Sequence, residues 1–150
     1  MSIIVTDNGF AEDEVASGAF TVMSLEQLRT ADISGLPGAI ALCVDNDTDP
    51  DSILPLPEQV ALVSIAFPSF ADGRGFSLAR RLRQAGYTGR LRAEGHLIAD
   101  QYGQARRVGF DEVAISDEIA ARQPEEQWLA RAEWQNHFYQ MRLQTSARTF

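Results

Sequence analysis

The stretch VALVSIAFPSFADGRGFSLARRLRQAGYTGRLRAEGHLIADQYGQARRVGFDEVAIS, residues 60–116, decides the fold class. Val60 to Phe67 is a continuous run, apolar but for Ser64, the form a strand takes when both faces of a parallel sheet are covered. From Ser77 to Ala85, Leu78, Leu82 and Ala85 recur at helical spacing, Arg80, Arg81 and Arg83 fall towards the other side, and Gly86 supplies a stop. Arg90 to Glu94 alternates, with Leu91 and Ala93 on one face and Arg90 and Arg92 on the other. A helix is predicted from Leu97 to Val108, closed by Gly109, and a strand from Glu112 to Ile115. That order predicts an α/β fold with right-handed crossovers and a mainly parallel β-sheet flanked by helices. The expected forms are an open three-layer sandwich or a partial-barrel-like variant, since 150 residues cannot supply eight βα units.

Ala39 to Val44 is a second continuous apolar run and reads as a neighbouring strand. Between the two runs lie Asp45, Asp47, Asp49 and Asp51 with Pro50, Pro55 and Pro57, a surface loop with at most a short helical turn. The acids lack the sixth-position glycine and closing glutamate of an EF-hand, so the loop is read as solvated. Ser2 to Thr6 and Phe20 to Met23 read as short strands, with a hairpin as one arrangement, and Ser24 with Gln27 opens a helix to about Ala31. A last helix is expected from Pro124 to Leu143. Trp128, Trp134, Phe138, Tyr139 and Met141 give it more apolar surface than one stripe needs, which predicts a homodimer or a partner contact there.

One domain spanning 1–150 is the expectation for this length and a 45% hydrophobic content. A net charge of −8 argues against general DNA or RNA binding. No apolar run is long enough to span a membrane, and the first residues lack a signal-peptide pattern, so a cytoplasmic location is expected. The chain has no lysine, which excludes a phosphate-binding loop and a lysine Schiff base. A single cysteine, Cys43, within an apolar run, and two histidines predict no intrinsic metal or redox cofactor.

Charge is distributed unevenly. Residues 1–73 hold one arginine against twelve acids, 74–107 eight against two, and 108–150 four against seven. The middle segment is therefore the candidate anion-facing region. Asp72, Gly73, Arg74 and Gly75 form a glycine-bracketed turn between a strand and a helix start, where free N–H groups attract anions. Arg92, near a strand's carboxyl end, must meet either a carboxylate, Asp100 or Glu94, or an anionic ligand. Gln101 shares a stripe with Leu97, Ala105 and Val108, as a hydrogen-bonding residue at the core margin or a ligand contact. The candidate anion-binding set is thus Arg74, Gly75, Arg92 and Gln101, with Asp72, Gly73 and Asp100 orienting it. Asp72 and His96 are the candidates for proton transfer.

Phe70, Asp72, Gly73, Arg74, Gly75, Phe76, Ser77 and Ala79, then Leu82, Arg83, Gly86, Tyr87, Gly89, Leu91, Arg92, Ala93 and Gly95, then Asp100, Gln101, Arg107, Gly109, Phe110 and Asp111 resemble the bacterial domain of unknown function 934 family. This family-like core runs over 67–111. His96 stands where the family usually has an aspartate, and Val108 where a cysteine is frequent. The resemblance implies an encoding beside assimilatory sulfite or nitrite reductase genes and a role in sulfite reduction. The function it implies is that of an accessory or regulatory protein binding the reductase, a related redox protein or a small oxyanion. The alternative is an enzyme acting on an anionic small molecule held by Arg74 and Arg92.

Overall fold

The computed structural model describes residues 2–36, 38–132 and 134. The strands are β1 (Ser2–Thr6), β2 (Gly9–Ala11), β3 (Phe20–Ser24), β4 (Ala39–Asp45), β5 (Val60–Phe67), β6 (Arg90–Gly95) and β7 (Glu112–Ser116). The helices are α1 (Leu25–Thr30), α2 (Pro50–Ile53), α3 (Arg74–Gln84), α4 (Tyr102–Val108), α5 (Asp117–Arg122) and α6 (Glu125–Leu129). They build one seven-stranded sheet in the order β2-β1-β7-β6-β5-β4-β3. Strands β3 to β7 are mutually parallel and lie in sequence order, whereas β1 joins β7 antiparallel and forms a hairpin with β2.

The hairpin is where the sequence reading is corrected. Ser2–Thr6 turns at Asp7 and Asn8 into Gly9–Ala11, and Phe20–Ser24 lies at the opposite edge of the sheet, parallel to β4. Asp7, Asn8 and Gly9 are a turn signal in the sequence, but the strand that follows them is only three residues long and carries no apolar run. Helix α1 opens with the reciprocal cap expected: Ser24 Oγ accepts from Gln27 N at 3.2 Å and Gln27 Oε1 from Ser24 N at 2.9 Å.

Each parallel crossover moves one strand in the same direction, and right-handed crossovers of that kind place their helices on one side of the sheet. Burial agrees. The core takes Ile40, Leu42 and Val44 of β4, Val63, Ile65 and Phe67 of β5, Leu91 and Ala93 of β6, and Val113 and Ile115 of β7, all one parity of their strands. Against this face pack Phe76, Leu78, Ala79 and Leu82 of α3, Tyr102, Ala105 and Val108 of α4, and Trp128 of α6. The sheet is mixed, and its main hydrophobic cluster lies on one face, while Ile4, Ala41, Leu62 and Ala114 are buried on the other. The opposite parity carries Cys43, Ser64, Arg92 and Glu112 in one row across β4 to β7.

Helix α3 begins three residues earlier than its apolar spacing indicates, and the predicted Leu97–Val108 helix is a 3-10 turn over Ala99–Gln101 running into α4. Of the long helix expected over 124–143, Glu125–Leu129 is helical and 130–132 is a turn. Trp128 is buried there, its indole donating to Gln123 O at 2.9 Å and meeting the Tyr102 ring edge-on. Trp134 is half-buried, its indole donating to Asp7 Oδ2 at 3.5 Å and the Arg106 guanidinium lying 4.9 Å from its ring centroid. Residues 133 and 135–143, with Phe138, Tyr139, Met141 and the dimer surface expected there, lie outside the described residues. No helix among the described residues is long and apolar enough to cross a membrane.

Candidate functional site

The carboxyl ends of β4, β5 and β6 carry the loops that the sequence singled out. After Phe67 the chain passes through Phe70, Asp72 and Gly73 into α3. The helix has no side-chain N-cap at Gly73, but Asp72 Oδ1 accepts from the Arg74 backbone N–H at 3.2 Å. The same carboxylate grips the Arg74 guanidinium by two points, Nε at 3.0 Å and Nη2 at 2.7 Å. Those bonds, led by the one from the Arg74 side chain, hold the Asp72 carboxyl well below the usual carboxylate range. The helix start therefore has an anion already, supplied by the chain, while Arg74 stays 62% exposed.

Gly75 serves packing. A β-carbon there would overlap the Phe67 ring, so glycine lets α3 press onto β5. Gln101 spends its amide on the loop: Nε2 donates to Phe70 O at 2.8 Å and Oε1 accepts from Ile98 N at 3.0 Å. Phe70 is thereby held with its ring 45% exposed, edge-on to His96 at 5.5 Å between centroids. Asp100 pairs with Arg131 at 2.7 Å, on the surface. His96 and Glu94 share a depression of about 320 Å³ with Ser2, Ala114 and Ser116.

Gly95 positions His96. Its φ is +118°, and a β-carbon would come within 2.6 Å of Phe67 O, the atom that accepts from His96 N at 2.9 Å. Gly95→Ala is expected to cost about 2–3 kcal/mol, combining backbone strain with displacement of β5. The denaturant midpoint, compared with an Ala substitution at exposed Gly35, checks this.

Arg92 is corrected in its partners. Its side chain is only 2% exposed, Nε donates to Glu112 Oε2 at 2.8 Å, and Nη1 donates to Asp13 Oδ1 at 2.9 Å. Neither Asp100 nor Glu94 reaches it; Glu94 instead accepts from Ser64 Oγ at 2.8 Å. Asp13 and Glu112 lie 79 and 20 residues away in sequence, so spacing could not name them. Arg74 and Arg92 thus meet different carboxylates and are not brought together on one ligand position. Burial, with the Glu94 charge, pushes the Cys43 thiol above its ordinary value against the pull of Arg92, which keeps it protonated.

A family model for a bacterial protein of unknown function, DUF934, matches residues 41–150. The chain belongs to the DUF934 family. No curated protein matches it. One solved structure similar over part of its length is that of the Amycolatopsis orientalis BexX/CysO complex, at 19% identity and a TM-score of 0.44. That likeness covers 65% of this chain and 40% of the other, so this chain corresponds to less than half of that protein. The DUF934 match takes in β4 through α6 with Arg74, Arg90, Arg92 and Glu112, and leaves out β1 to β3.

Within this DUF934 chain, the residue that the sequence reading undervalued is Arg83. Read as part of a solvated helix face, it is a clamp. Nε and Nη2 donate to Gly109 O at 3.0 and 2.9 Å, and Nη1 donates to Tyr87 O and Gly89 O at 2.9 and 2.7 Å. Nη2 also meets Asp111 at 2.8 Å, and Asp111 in turn accepts from Leu91 N. The signal available was the joint presence of Arg83, Tyr87, Gly89, Gly109 and Asp111 among the residues carrying the family resemblance.

Proposed function

We propose that this protein is a single-domain accessory or regulatory protein of assimilatory sulfite or nitrite reduction, binding a reductase partner or a small oxyanion at the carboxyl edge of its sheet. The pathway comes from the DUF934 resemblance. The observation that supports a binding role is the exposed Phe70–His96 ring pair, on the loop that leads into Arg74. An aromatic residue left nearly half exposed on a loop that Gln101 and Asp72 hold in place, and that runs on into the exposed Arg74, has the composition of a contact hot spot.

The test is affinity capture of the tagged protein from its native host, with identification of what is retained. A sulfite or nitrite reductase, or another protein of sulfur or nitrogen assimilation, is expected, and Phe70→Ala is expected to weaken its capture by about thirtyfold. Recovery of no such protein, or capture indifferent to Phe70→Ala and Arg74→Glu, would remove the support for this reading.

An enzymatic reading is favoured by one observation, the depression holding Glu94 and His96 at the same edge. In it His96 handles a proton, since Asp72 is committed to Arg74. Turnover of an anionic substrate that His96→Ala abolishes, with the fold intact, would select it.

A further inference from the structure

On the sheet face opposite the helices, Arg90 and Arg92 stand two residues apart on β6 and share a single carboxylate of the sheet, Glu112 of β7. Glu112 gives Oε1 to Arg90 and Oε2 to Arg92, and its side chain is 5% exposed. Two guanidiniums against one carboxylate leave a positive charge over, and with Arg92 only 2% exposed a further counter-charge is favoured there.

The balance comes from outside the sheet. Asp13 meets Arg92, and Glu14 Oε2 accepts from Arg90 Nη1 at 3.0 Å. Both acids belong to the connection between β2 and β3, where residues 12–19 form turns without helix or strand. Asp13 Oδ1 also accepts from the backbone N–H groups of Val15 and Ala16, so a tight turn presents the carboxylate to Arg92.

We propose that Arg90 and Arg92 form a site for a small oxyanion, which the acidic segment 12–18 occupies as an internal, displaceable ligand. It rests on the oxyanion part of the function proposed above, and places that anion on the sheet face at Arg90 and Arg92 instead of at the carboxyl edge. Three observations carry it. Buried Arg92 and its partly exposed neighbour Arg90 take two of their carboxylate partners from an irregular surface segment. Arg92 Nη2, fully buried, lies 2.8 Å from Glu112 Oε2 yet makes no hydrogen bond of acceptable geometry among the described residues, so a donor remains to be used. The arginines and Glu112 fall inside the DUF934 match, whereas Asp13 and Glu14 fall outside it. A carboxylate tethered through a short segment competes at an effective concentration in the millimolar range, within reach of a free anion at comparable concentration.

The test uses the full chain and inorganic sulfate at about 20 mM, against sodium chloride of equal ionic strength so that general screening cancels. In the wild-type protein, cleavage after Glu12 and Glu14 by a glutamate-specific protease is expected to be about threefold faster or more in sulfate, because sulfate traps the lifted segment. In the Asp13→Asn/Glu14→Gln variant, sulfate is expected to raise the melting temperature by several degrees more than it does in the wild type. Equal cleavage in the two salts, or a sulfate increment no larger in the variant, would overturn the proposal and leave the acids as plain salt-bridge partners. If the variant fails to fold, the wild-type cleavage ratio decides alone. A null result here leaves the reductase-capture experiment standing, since that experiment reads the Phe70 surface and not this one.

Discussion

Arg92→Ala is expected to lower stability by about 3–5 kcal/mol, since it leaves the buried carboxylate of Glu112 one guanidinium short and strands Asp13. A loss of that size is a large share of the roughly 5–15 kcal/mol that holds a domain of ordinary stability together, so much of the protein would be unfolded or readily melted. Asp13→Asn should cost less, because Arg92 keeps its hydrogen bond to Glu112 and no buried carboxylate loses its partner. Urea titrations followed by circular dichroism separate the two. An Arg92→Ala loss below about 1 kcal/mol would mean that solvent enters the row more freely than its 2% exposure allows. The paired replacement Arg92→Met/Glu112→Leu is the sharper measurement. Removing both charges should recover about 2 kcal/mol relative to the sum of the single changes, since two desolvated charges are lost together.

The second large effect is expected at Arg83. Truncation to alanine frees three backbone carbonyls, at Tyr87, Gly89 and Gly109, and removes the partner of Asp111. About 3 kcal/mol is expected, as the sum of several partly buried charge-assisted bonds discounted for the quarter of the side chain in water. Arg80→Ala, on an exposed position of the same helix, should stay within about 0.5 kcal/mol. Arg83→Lys should recover only part of the loss, because one ammonium cannot reach both sides of the fork. Equal stabilities for the Arg80 and Arg83 variants would show that the clamp carries no net energy.

These two arginines mark what local pattern can and cannot reveal. Arg83 has the same spacing signature as Arg80 and Arg81, one polar position after another on an amphipathic helix. What distinguishes it is the arrival of Gly109 and Asp111, 26 and 28 residues later, at the same end of the sheet. Arg92 was recognisable as a charge needing a partner, because alternation put it on a strand between apolar neighbours. The carboxylates nearest in sequence were the natural candidates, and the structure passes over them for Asp13 and Glu112.

The carboxyl-edge turn behaves in the opposite way. Asp72 and Arg74 bond to each other across Gly73, so their geometry is local and falls at the strand-to-helix turn read from the sequence; the anion at the helix start is the chain's own aspartate. Gly75 was placed at the right turn for another purpose, its closeness to Phe67 being a contact between elements.

The amino-acid sequence by itself determined the elements from β4 to β7, their parallel order and the location of the basic loops. Apolar runs, helical spacing and turn residues are local signals, and right-handed crossovers leave few ways to assemble consecutive strand–helix units. The tertiary structure alone decided that the β2–β3 connection brings Asp13 and Glu14 to the arginines of β6. It also decided that β3 lies at the edge far from β1, and that the main hydrophobic cluster occupies one face of the sheet. Those outcomes depend on burying charge and apolar surface among residues far apart in the chain, an energy that exists only once the sheet has assembled.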